Sequence, residues 1–167
     1  GNEMLNPRKL LFRVVMILLM VLSIPLSGSQ AQGGITVENA TVAVNFGQSI
    51  TFSAKIKSPL PIKQASLLFR GIHEEVTRVE TVQVAEDGSV SFTYDASLNV
   101  FPPFSSIVFW FQVTLSDDKT YTSSPITFPY YDNRFPWRET AKGNVTVHWY
   151  AGDDAFGTAA LDAAGAV

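Results

Sequence analysis

Apolar residues return at every second position through most of residues 35–128, and this period constrains the fold more than any other feature. Ile107, Phe109, Phe111, Val113 and Leu115 form the longest set. Ile50, Phe52, Ala54 and Ile56 form another, with Thr, Ser and Lys between them. Val42 with Val44, then Ala65, Leu67 and Phe69, then Val90, Phe92 and Tyr94 repeat the pattern, and Val76 to Val84 and Tyr121 to Phe128 complete it. Such alternation describes a strand with one face buried and one wet. Turn residues separate the runs: Asn45-Phe46-Gly47, Pro59-Leu60-Pro61, Glu86-Asp87-Gly88, Pro102-Pro103 and Asp117-Asp118. Pro125 predicts a kink or an edge in the last run. Seven short strands at this spacing predict a mainly β domain over residues 35–128, an antiparallel immunoglobulin/fibronectin III-like sandwich. One run breaks the rule of a single apolar face. Val108 and Trp110 stand opposite Ile107, Phe109 and Phe111, so either something covers the second face or Trp110 lies under a loop.

Composition removes several chemistries. The 167 residues include no cysteine and two histidines, His73 and His148, which excludes thiolate metal sites, a cysteine nucleophile and a disulfide scaffold. A formal charge of -3 without a basic block past the first dozen residues gives no footprint for nucleic acid. The N-terminus is of another kind. Arg8, Lys9 and Arg13 precede the apolar run Val14–Ile24, Pro25 breaks it, and Ser29-Gln30-Ala31 offers small residues to a peptidase. Residues 1–31 read as a secretory signal peptide cleaved after Ala31, because the run is shorter than the roughly 20 residues a membrane-spanning helix needs. The protein is then exported, to the extracellular space or the cell envelope; retention of the segment as a membrane anchor is the alternative. Export without cysteine suits a bacterial envelope better than a eukaryotic secretory route.

Residues 129–142 hold Pro129, Tyr130, Tyr131, Phe135, Pro136 and Trp137, and lack the Gly and Ser of a flexible linker ahead of Gly143. They predict a stiff connector packed against its neighbours, with a sugar-binding aromatic platform as the sharper reading. Residues 143–167 then change pattern. Val145 to Tyr150 predicts a strand, Asp153 or Asp154 a helix cap, and Phe156, Ala159, Ala160, Ala163 and Val167 an apolar helical stripe running to the last residue. A strand and a helix are too little for a domain, so the expectation is the start of an incomplete α+β domain.

The stretch Tyr131-Asp132-Asn133-Arg134-Phe135-Pro136-Trp137, followed by Gly143-Asn144-Val145-Thr146-Val147-His148-Trp149-Tyr150-Ala151-Gly152-Asp153 and Phe156-Gly157, resembles the junction of bacterial peptidase MA-like proteins. These are secreted or membrane-anchored zinc metallopeptidases of the gluzincin type. The resemblance implies an N-terminal sandwich ahead of a peptidase domain whose H-E-x-x-H motif lies further downstream. No such motif occurs in this sequence. His73-Glu74-Glu75-Val76-Thr77 lacks the second histidine, which must lie one helical turn on to reach the same metal. His148 falls in a strand and reads as structural. No catalytic, cofactor-binding or metal-binding residue is therefore assigned, and zinc is expected only in the downstream domain. The acidic pairs Glu74-Glu75, Glu86-Asp87, Asp117-Asp118 and Asp153-Asp154 read as turn and cap chemistry rather than calcium sites. Two functions stand. The first is a non-catalytic accessory region of an exported zinc metallopeptidase, with its own downstream peptidase domain and a protein or peptide substrate as partners. The second is a non-catalytic envelope binding or adhesion module that recognises protein or glycan.

Overall fold

A computed structural model describes residues 31–32, 34–98 and 101–165. The expected leader over 1–31 lies outside these residues except for Ala31. Among the described residues eleven strands and one helix follow in order. They are β1 (Ala31–Gln32), β2 (Ile35–Asn45), β3 (Ser49–Lys57), β4 (Ile62–Gly71), β5 (Arg78–Val82), β6 (Ser89–Asp95), β7 (Ser105–Leu115), β8 (Thr120–Thr122), β9 (Ile126–Tyr130), β10 (Arg138–Lys142), β11 (Val145–Trp149) and α1 (Asp154–Ala164). Every pairing is antiparallel. One sheet runs β1-β2-β3-β6 and the facing sheet β5-β4-β7, with β8 and β9 both on the far edge of β7. This is the expected sandwich.

The period-two residues are its core. Ile50, Leu67, Phe69, Ile107, Phe109, Val113 and Leu115 are fully buried between the sheets. Phe52 sits at the centre, with ring centroids 5.0 Å from Phe69, 5.2 Å from Phe109 and 5.9 Å from Phe128. Tilted and edge-on geometry lets the positive ring edges meet the negative faces, which adds to the gain from area alone.

The loops refine the sequence reading. The run Val76–Val84 is a strand only over Arg78–Val82, with Val84 held by a single bridge to Val90. The preceding loop is built on Glu74, whose carboxylate accepts from the Gly71 amide at 2.9 Å and from Arg78 at 2.6 Å. The Arg78 hydrogen bond, the largest influence, holds that carboxyl below its ordinary range. The run Tyr121–Phe128 is two strands, because Pro125 cannot donate to a ladder. Between them Ser123 bridges the gap: its amide donates to Phe111 and its hydroxyl accepts from the Phe111 amide at 2.9 Å. The Glu86-Asp87-Gly88 turn fits tightly, since Gly88 has φ 86° and any Cβ there would meet the Ile56 carbonyl.

The C-terminal unit is a hairpin with a helix laid on it. The last five residues of the 129–142 connector form β10, which pairs with β11 from Arg138↔Trp149 to Lys142↔Val145. Asp153 caps α1 by accepting from the Phe156 amide at 3.0 Å, as its position predicted. The helix is described to Ala164, with the Gly165 amide bonded to Leu161 O, and Val167 at the end of the expected stripe lies outside the described residues. Its buried face differs from expectation. Its buried residues are Gly157 and Leu161, while Phe156 is 55% exposed. The reason is Trp149: its indole lies on the helix backbone at Gly157, where a Cβ would collide with the ring.

Candidate functional site

The aromatic connector joins the sandwich to the hairpin. Tyr130, the last residue of β9, is fully buried; its hydroxyl accepts from the Gly47 amide at 3.0 Å, and its ring packs 4.9 Å from Phe46. Asn133 reaches back to donate to Val44 O at 3.1 Å. Asp132 is buried and takes both arms of Arg134 at 2.8 Å, and also the Arg134 amide at 3.1 Å. The Arg134 hydrogen bond holds the Asp132 carboxyl below the ordinary aspartate value of 3.8. The Arg134 guanidinium in turn lies 4.9 Å from the Phe46 ring and 5.4 Å from the Phe135 ring, so one cation holds together the sandwich end and the connector. Residues 130–137 thus pack against the sandwich through Phe46 and Val44 and against the hairpin through Tyr150.

Phe104 completes the junction from the sandwich side. It precedes β7 with φ 62°, a left-handed conformation that is a genuine outlier for a bulky residue. Its amide donates to Tyr130 O at 2.8 Å, and the following amide donates to Pro102 O at 3.3 Å, which fixes the backbone in that state. The outcome is a ring turned outward onto the hairpin. Phe104 stacks on His148 with centroids 3.8 Å apart and planes 2° apart. Trp137 meets Phe104 edge-on at 5.0 Å, and Tyr131 lies 6.0 Å away. On the other side of Trp137, Phe135 and Tyr150 stack at 4.4 Å, with Tyr150 4.9 Å from Trp137.

These rings enclose an open cleft of about 250 Å³. Phe104, Tyr131, Phe135 and Trp137 supply apolar walls, and Asp132, Arg138, Glu139 and His148 supply polar groups. Arg138 is anchored by donating to Gly152 O at 2.9 Å, while Glu139 stays exposed, 3.7 Å from His148 Nδ1 across the hairpin. The cleft offers aromatic faces and fixed hydrogen-bonding groups. It holds no nucleophile–base pair, and among the described residues no cluster of three or more His, Cys, Asp or Glu could hold a metal.

His148 is thus placed in the cleft wall, stacked on Phe104, and His73 is exposed in the loop after β4. The acidic pairs serve turns and the cap: Asp87 accepts from Ser89 at 3.0 Å, Asp117 from Lys119 at 3.2 Å and Asp153 from Phe156. Sequence reading missed Phe104 altogether. The only local sign is its place after Pro102-Pro103, which marks a break but not a left-handed phenylalanine.

No protein-family model and no curated protein matches the chain. Among solved structures, BhCBM56, determined as a bromine derivative, is similar at 10% identity and a TM-score of 0.42, over 60% of this chain and 97% of that one. A cycloalternan-degrading enzyme from Trueperella pyogenes, in complex with cycloalternan, is similar at 14% identity and a TM-score of 0.39, over 58% of this chain and 15% of that one. Likeness at this level carries no argument about ligand or activity.

Proposed function

We propose that the chain is an exported, non-catalytic binding module whose junction cleft takes a sugar ring of a glycan. The observation that carries this reading is the cleft itself, with aromatic walls and a charged, hydrogen-bonding rim in a volume of about 250 Å³. One face of a pyranose presents C–H bonds that match the negative face of an aromatic ring, while its hydroxyls need donors and acceptors at the edge. Small-ligand sites combine apolar walls with a few fixed polar groups in this way. Tyr131 and Phe135, 55% and 41% exposed, keep ring surface available at the mouth. Isothermal titration with a panel of soluble oligosaccharides tests the reading. Binding that is lost in Trp137→Ala supports it; absence of binding across the panel, or binding unchanged in Trp137→Ala, overturns it.

A second reading follows from Tyr150 and Phe156, which are 52% and 55% exposed on the hairpin and helix. Under it the module is an accessory region of a secreted zinc metallopeptidase and this surface meets a protein. Tyr150→Ser with Phe156→Ser would then release a protein partner while leaving oligosaccharide titrations unchanged.

A further inference from the structure

The outward faces of the two sheets differ in kind. On the β1-β2-β3-β6 sheet the outward residues of β3 and β6 are Thr51, Ser53, Lys55, Ser89, Ser91 and Thr93, linked by pairs such as Thr51–Thr93 at 2.9 Å. That is an ordinary solvated face. On the other sheet, register places Val79, Leu68 and Trp110 side by side across β5, β4 and β7, with Val108 next along β7. Their neighbours Leu67, Phe69, Phe109 and Phe111 point inward and are buried, so these four point out. Val79 is 60% exposed, and Leu68, Val108 and Trp110 are half-buried. Among the described residues no strand or helix is found packed over this face.

We infer that this face is a second binding surface, for an extended neutral glycan chain lying along the Val79–Leu68–Trp110 stripe. Three observations select that occupant. The first is charge: Ser66, Thr81, Gln112 and Thr122 border the stripe on one side and Thr127 on the other, with Arg70 the only charged residue in these rows. Hydroxyls and an amide beside an aromatic ring suit a neutral sugar, not an acidic or basic partner. The second is area. The apolar stripe spans three strands about 4.8 Å apart, with Val108 two residues, about 7 Å, further along β7, which is roughly 100 Å² in projection, far short of the about 800 Å² of accessible surface each partner gives to a stable protein interface. The third is that a peptide gains its main-chain hydrogen bonds at a sheet edge, and a sheet face has none to offer. The inference stands on the sheet face and not on the cleft.

Affinity electrophoresis through gels containing dextran, galactomannan, xyloglucan or laminarin tests it. The protein is expected to be retarded by at least one of these polymers, and Trp110→Ala is expected to weaken the retardation about tenfold or more, the weight of one aromatic anchor. Val79→Lys, an exposed change that leaves the core intact, is expected to weaken it too, so a poorly folded Trp110→Ala does not decide the matter. No retardation by any of the four overturns the inference, as does retardation that survives both substitutions. Retardation lost in Trp137→Ala but kept in Trp110→Ala and Val79→Lys assigns all binding to the cleft and also overturns it. The converse pattern supports the sheet face and counts against the cleft.

Discussion

Two side chains set the geometry of the junction, and each does so by an arrangement with little tolerance. Phe104 is held at φ 62° so that its ring can stack on His148 at 3.8 Å. A residue in that region costs of order 1–3 kcal/mol, offset here by the contacts of its ring and by the backbone hydrogen bonds to Tyr130 and Pro102. Phe104→Ala keeps the strain and loses the stack, so it is expected to weaken oligosaccharide binding in titration and to loosen the hairpin; unchanged affinity would remove Phe104 from the site. Asp132 works through charge. Its carboxyl lies below the ordinary value of 3.8 because Arg134 hydrogen-bonds it in the folded protein. A depressed folded value means that its stabilisation is complete above the unfolded value and is lost as pH falls through the folded one. Urea unfolding midpoints of the wild type are therefore expected to fall more steeply below about pH 4 than those of Asp132→Asn. Equal slopes for the two would show that the Arg134 pair contributes nothing to the fold.

The elements differ in how firmly they are held. β7 lies between β4 and the β8/β9 edge, and its inward residues are buried at 0–1% exposure, whereas α1 buries only Gly157 and Leu161. Phe52→Ala is expected to cost about 3–5 kcal/mol in denaturant unfolding, the usual cost of removing a central ring. Gly157→Ala puts a methyl group into the Trp149 indole. It is expected to release the helix, seen as faster amide exchange over residues 154–164 with β7 unchanged; an unaltered helix would show that Trp149 can shift at no cost. The same contrast explains what could be read from sequence. The strands were legible because a sheet with one buried face writes a period of two into the chain, and Ile50 to Ile56 obeys it without exception. The strand ends were less so. Val76 and Thr77 belong to a loop organised by Glu74, and the split at Ser123–Pro125 depends on a hydroxyl replacing a ladder group. The helix face was misread because the apolar stripe through Phe156 ignored Gly157, whose value lies in having no side chain. The aromatic richness of the connector was visible, but the cleft depends on Phe104, 33 residues before Trp137, and no local pattern joins the two.

As a whole molecule, the protein is a sandwich whose core takes up most of the phenylalanines, with further aromatic rings exposed outside it. The three tryptophans fall in different places. Trp110 stands on the open sheet face, Trp137 in the junction cleft and Trp149 under the helix at Gly157. Each indole N–H gives its own signal in a proton–nitrogen correlation spectrum, so one titration reads all three surfaces together. The direct test of the account is that spectrum, recorded while a pool of neutral oligosaccharides is added to the protein. The Trp137 indole signal is expected to move with saturation and the Trp149 signal to stay in place, while any movement of Trp110 reports the sheet face separately. A spectrum in which the Trp137 signal stays fixed throughout the titration would contradict the cleft as a glycan site, and with it the reading of this module's function.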